Sequence, residues 1–176
     1  MSNHLVITAL GSDRPGIVEE LAKNISEYEC NIEDSRMTVL GGEFALMLIV
    51  SGHWNTIAKL QAHMPSLEQT LGMTIITKNT EARQQTKKTL PYIAEIIAID
   101  HQGIVKNLAN FFSARDINIE EMSTNCYAAA HTGTSMFSVH MEIGIPSSQS
   151  ISDLREAFME FCDSLNLDAV LEPMKS

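Results

Sequence analysis

LVITALGSDRPGIV at residues 5–18 is echoed by YIAEIIAIDHQGIV at residues 92–105. A shift of 87 positions aligns Asp13 with Asp100, Gly16 with Gly103, Ile17 with Ile104 and Val18 with Val105. The same shift aligns Leu21 with Leu108, Ala22 with Ala109, Asn31 with Asn118, Ile32 with Ile119 and Glu33 with Glu120. A register held from an apolar run through a Gly turn and into the next segment marks two copies of one module. In a chain of 176 residues the two copies leave no length for a separate catalytic domain.

Working outward from each copy, residues 4–10 are apolar and partly β-branched, which predicts a buried strand. Asp13 then stands where a helix N-cap would, with Pro15 in the first turn. Val18, Leu21, Ala22 and Ile25 follow at i, i+3, i+4, i+7 and predict one apolar helix stripe. Asn31 to Leu40 reads as a second strand, Gly41-Gly42 as a tight hairpin turn and Phe44 to Val50 as a third strand. A helix from about Asn55 to Leu71 carries Ile57, Leu60, Met64, Leu67 and Leu71 on one face, and Pro65 predicts a kink or a split within it. Met73 to Thr77 closes the module.

Residues 92–99, a helix with Val105, Leu108, Ala109 and Phe112, strands at 117–127 and 134–144, a helix at 151–165 and a strand at 168–172 repeat the order. The βαββαβ order predicts an α+β protein of two ferredoxin-like modules in tandem. The first module spans 1–78, the polar segment 79–91 is the linker, and the second module spans 92–176. On the third strand of the second module Phe137, Val139, Met141 and Ile143 alternate with Ser138, His140 and Glu142, as suits a sheet wet on one side. In the first module both sets are apolar: Ala45, Met47 and Ile49 on one face, Phe44, Leu46, Leu48 and Val50 on the other. Helices cover one face, so the other is expected to be buried by the sister module or a second chain.

The net charge is −10, distributed as −4 over residues 1–78 (5 basic, 9 acidic), +2 over 79–91 (3 and 1) and −8 over 92–176 (4 and 12). DNA binding depends on Lys and Arg neutralising phosphates, so direct contact with nucleic acid is not expected. Arg83, Lys87 and Lys88 read as solvated linker charge. No apolar run reaches the roughly 20 residues of a membrane span, and the N-terminus has no secretory pattern. Cys30, Cys126 and Cys162 are few and unpatterned, which fits reduced thiols in the cytoplasm. The histidines at 4, 53, 63, 101, 131 and 140 lack ligand spacing, and no nucleophile elbow or phosphate loop is present. Catalytic residues, a metal and a cofactor are therefore not expected.

The chemistry points to the two strand-to-helix turns. Unpaired amides and the helix dipole attract an anion there, and Gly16 lets a ligand approach the backbone. An amino-acid carboxylate suits the place, Asp13 offers an acceptor for the ammonium group, and Asn31 offers both donor and acceptor. Each also has a structural role open to it: Asp13 as a cap, Asn31 as a partner for backbone groups at the strand entry. Asp34 and Arg36 read as an ion pair on a half-solvated strand. In the second copy His101-Gln102 replaces Arg14-Pro15, so the two turns are not equivalent.

LVITALGSDRPGIVEELA, then CNIEDSRM, a Gly-Gly turn and a strand ending before SGHWNTI resembles the ACT modules, small amino-acid-sensing domains of this strand order. Two modules with nothing else attached resemble the tandem-ACT repressors that govern glycine-cleavage genes in proteobacteria. The resemblance implies a ligand at the turn, at an interface between modules, held by Asp13, Arg14, Pro15, Gly16, Ile17, Asn31 and Ile32, and by Asp100, Gln102, Gly103, Ile104 and Asn118. It implies a cytoplasmic homo-oligomer that senses glycine and represses by binding a LysR-type transcriptional activator. An alternative is a regulatory subunit that controls an amino-acid or one-carbon enzyme through protein contact.

Overall fold

The computed structural model describes residues 3–81 and 88–175. The chain divides into two compact units, Met1–Gln84 and Gln85–Ser176. The first contains β1 (Asn3–Ser12), α1 (Ile17–Glu27), β2 (Asn31–Leu40), β3 (Glu43–Gly52), α2 (Trp54–Leu71) and β4 (Thr74–Thr80). The second contains β5 (Thr89–Ile99), α3 (Ile104–Ser113), β6 (Asn118–Ala128), β7 (Ser135–Pro146), α4 (Ile151–Ser164) and β8 (Asp168–Pro173). Each unit is a four-stranded antiparallel sheet, ordered β2-β3-β1-β4 or β6-β7-β5-β8, which is the ferredoxin-like arrangement.

The cores are wholly apolar among the described residues. In the first unit Leu5, Ile7 and Ala9 of β1 and Phe44, Leu46, Leu48 and Val50 of β3 pack under α1 and α2. In the second, Ala94, Ile96 and Ala98 with Val139, Met141, Ile143 and Ile145 do the same, joined by the rings of Phe112 and Phe158 with centroids 5.3 Å apart. The bulge between Ile32 and Asp34 recurs between Ile119 and Glu121, so even this irregularity is duplicated.

Several expectations need correction. α2 runs unbroken through Pro65 as one 18-residue helix, and its predicted stripe of Ile57, Leu60, Met64, Leu67 and Leu71 is buried. The stripe of α1 is instead Ile17, Leu21 and Ile25, with Val18 exposed and Ala22 half-buried; that of α3 is Ile104, Leu108, Phe111 and Phe112. Both helices begin one residue after a Gly, which turns the first buried side chain to Ile17 or Ile104. Asn79 and Thr80 belong to β4 and Thr89, Leu90 and Pro91 to β5; of the expected linker, 82–87 lie outside the described residues. Pro91 fits near the entry of β5, where its carbonyl accepts from the Met174 amide at 3.0 Å.

Candidate functional site

The two corners are built alike. At the end of β1 the Asp13 amide donates to the Gly42 carbonyl at 3.1 Å, and at the end of β5 the Asp100 amide donates to Ser135 at 2.9 Å. The backbone amide thus ties the corner to the β2–β3 turn in the first copy and to the start of β7 in the second. The helix N-cap is not Asp13 but Gly16, with φ 86°, and Gly103 matches it at φ 94°. That left-handed backbone is open to glycine at little cost, which explains why the turn keeps Gly in both copies.

Neither cap is closed by a side chain. The first helical bonds run from Glu20 to the Gly16 carbonyl at 3.0 Å and from Asn107 to Gly103 at 2.9 Å. The turns at residues 15–16 and 102–103 engage at most one amide each, so at least two of the Ile17, Val18 and Glu19 amides, and of the Ile104, Val105 and Lys106 amides, find no acceptor among the described residues. These are the free donors an oxyanion requires.

The corners differ in charge. Arg14 reaches along α1 to grip Glu20 with both prongs, Nη1 to Oε1 at 2.7 Å and Nη2 to Oε2 at 2.9 Å. The Arg14 hydrogen bonds hold the Glu20 carboxyl below its usual range, and the same bonds hold the guanidinium above its own. With Glu19 beside it, Glu20 places two acids in the first turn of α1. A Cβ at Gly16 would lie 4.0 Å from Glu20 Oε1, so this carboxylate borders the corner. α3 has no acid in its first turn; Lys106 and Asn107 stand where Glu19 and Glu20 do, and His101 Nδ1 lies 3.1 Å from the Gln102 carbonyl.

Asn31 does not join the Asp13 corner of its own module. It pairs with Ser51, which also faces His4 at the entry of β1, whereas Ser12 at the exit of β1 faces Glu43. Eight residues at roughly 3.3 Å each separate the two ends by about 26 Å. Ile32 lies next to Asn31 at the bulge, and Asn118, opposite Gly144, is equally remote from Asp100. The crossover explains it: a helix between parallel strands returns the chain to the end where the first strand began. Of the expected site, the structure groups Asp13, Arg14, Pro15, Gly16 and Ile17, or Asp100, Gln102, Gly103 and Ile104, and leaves each Asn elsewhere. Sequence reading missed the Arg14–Glu20 clamp, and the recurrence of Gly16 as Gly103 was the available signal for the true cap. Asp34 and Arg36 form the expected exposed ion pair at 2.5 Å.

Two βαββαβ units with glycine-capped corners define a tandem ACT-domain regulatory protein, and residues 3–78 match the ACT domain model. The glycine cleavage system transcriptional repressor of Escherichia coli K12 is 31% identical over 93% of this chain and 86% of its own length. A crystal structure assigned provisionally to a glycine cleavage system transcriptional repressor matches at a TM-score of 0.77 and 27% identity, covering 100% of this chain and 99% of that one. A protein of the UPF0237 group from Methanopyrus kandleri is 33% identical over 43% of this chain and 87% of its own length. The chain belongs to the glycine cleavage system transcriptional repressor family. Among the described residues no helix is long and apolar enough to cross a membrane, and no three His, Cys, Asp or Glu side chains gather as a metal site.

Proposed function

We propose that the protein is a cytoplasmic sensor of a small amino acid, glycine, and represses glycine-cleavage genes by binding their LysR-type activator as a homo-oligomer, without touching DNA or catalysing a reaction. The observation that carries this reading is the duplicated corner, with at least two unpaired amides behind a left-handed Gly in each copy. A carboxylate fits those donors, and Asp13 or Asp100 supplies an acceptor for the ammonium group. The Asp100 corner is the better receptor for a carboxylate, because Glu19 and Glu20 already supply negative charge at the first turn of α1. The net charge of −10 favours regulation through a protein over regulation through DNA.

Ligand then controls the activator only if glycine binds the free and activator-bound forms with different affinity. Calorimetry with glycine and with a panel of amino acids tests the reading. At 100 times its dissociation constant the ligand should stabilise the fold by about 2.7 kcal/mol. No heat and no shift with any of them would remove the sensor role and leave a regulatory subunit acting by protein contact alone.

A further inference from the structure

The second module carries a cleft at one end of its sheet. It is a cavity of about 610 Å³ where the C-terminal end of α3, the β7–α4 loop and the start of β5 meet. Lys88, Arg115, Asp116, Ser147, Ser148 and Gln149 line it. Residues 88–176 hold five basic side chains (Lys88, Lys106, Arg115, Arg155 and Lys175) against 12 acidic ones, and two of the five converge here.

Arg115 is held ready. Its guanidinium carbon lies 3.8 Å over the centre of the Phe111 ring, and Nη1 donates to the Phe111 carbonyl at 2.9 Å. The stacked, planar fork keeps its other donors free among the described residues, a geometry suited to bidentate capture of an oxyanion. The Ser147 amide donates to the carbonyl of Lys88, the second cation, at 3.1 Å, which ties the loop to the residue just before β5. The side chains of Ser147, Ser148 and Gln149 have no hydrogen-bond partner among the described residues. Asp116, at φ 54°, adds the one carboxylate to a wall that otherwise carries two cations, three neutral polar side chains and Pro146.

The duplication shows what is particular to this copy. The 87-residue shift puts Tyr28 at the place of Arg115 and Glu29 at that of Asp116. One residue, His53, joins β3 to α2, whereas four, residues 147–150, join β7 to α4. The longer loop and the Arg together make the cleft. It lies at the Thr89 end of β5, and the Asp100 corner lies beyond the Ile99 end, about 33 Å along the strand.

We propose that this cleft binds a small hydroxylated phosphate ester, with the phosphate on Arg115, Lys88 and the serine hydroxyls and a ligand hydroxyl donating to Asp116. The test is a titration of the full chain with glycerol 3-phosphate, followed by the backbone amides of Ser147, Ser148 and Gln149 in nitrogen-15 spectra, with neutral glycerol as the blank. Saturable shifts at these amides are expected with the ester and none with glycerol. Arg115→Gln and Lys88→Gln should each weaken binding at least tenfold. Lys88 is exposed just before β5, so Lys88→Gln carries the test if loss of the Phe111 stack unfolds the other variant. Absence of saturable shifts, or unchanged affinity in Lys88→Gln, would overturn the assignment.

Discussion

Asp13 and Asn31 stand at opposite ends of the first sheet, the one beyond the Ser12–Glu43 pair and the other at the Asn31–Ser51 pair. Residues so far apart contribute independently, with effects that add within about 0.5 kcal/mol. Asp13→Ala and Asn31→Ala should therefore be additive in the glycine-induced shift of the unfolding midpoint. Coupling beyond that margin, measured in a double-mutant cycle, would require that a second copy of the chain bring its Asn amide to the corner.

Gly16 and Gly103 test the backbone logic of the corner. No atom blocks a Cβ at either place, the nearest being Glu20 Oε1 at 4.0 Å and Asn107 Nδ2 at 3.9 Å. The cost of Gly16→Ala or Gly103→Ala is then the left-handed conformation alone, about 1–2 kcal/mol. Urea unfolding should show that loss for each, with Gly16→Asn milder because Asn tolerates the region. Alanine variants as stable as the parent would mean that the turn relaxes to another backbone.

How much of this was legible beforehand depended on whether the signal was local. The stripe of α2 could be read because Ile57, Leu60, Met64, Leu67 and Leu71 keep helical spacing over four turns. The Gly41-Gly42 hairpin could be read because both residues take positive φ, 60° and 89°, as a tight primed turn requires. The cap was misread because Asp13 obeys the usual capping preference while the chain uses Gly16 instead. Asn31 was misplaced because its position depends on sheet order: β3 lies between β1 and β2, and α1 carries the chain back before β2 starts. The cleft at Arg115 joins residues 88, 115 and 147, which no local pattern connects.

Acid should open the Arg14–Glu20 clamp. The Glu20 carboxyl is depressed in the folded state, chiefly by the Arg14 hydrogen bonds, so its stabilisation is present above the ordinary value of 4.5 and lost as pH falls through the lowered value. A carbon-13 titration of the Glu20 side chain should give a midpoint below 4.5 in the parent and one closer to 4.5 in Arg14→Ala. Identical midpoints would show that the pair does not persist in solution.

The three thiols should separate by reactivity. Cys126 is exposed on β6, whereas Cys30 and Cys162 are buried. Burial, with Asp163 nearby, pushes the Cys162 thiol up to about 12, far from its thiolate at neutral pH. Ellman's reagent at pH 8 should titrate one thiol quickly in the native protein and three in urea, and Cys126→Ser should abolish the fast phase. For stability the sign is opposite to that of Glu20: the raised thiol favours the fold fully below the ordinary value of 9.0 and less as pH climbs towards 12.

The face of the first sheet away from its helices carries the remaining prediction. Thr8 pairs with Met47 on one side and Ile76 on the other, and Met47 and Ile76 are 53% and 64% exposed. Leu10, two residues on, is 50% exposed, while Val6, Ala45 and Ile49 are half-buried beside them. Charge at the border comes from Lys78 and the Asp34–Arg36 pair, which leaves a contiguous apolar strip across three strands. The helix-free face of the second sheet is different in kind: Ile97, Ile99 and Val170 share it with Glu95, His140 and Glu142. Exposed apolar area of this continuity is costly to leave in water, so self-association should run through the first sheet. Met47→Asp should lower the sedimentation-derived association constant by at least tenfold without loss of helix content, and Val170→Asp should have little effect. Equal sedimentation of Met47→Asp and parent across concentration would exclude this face from the contact.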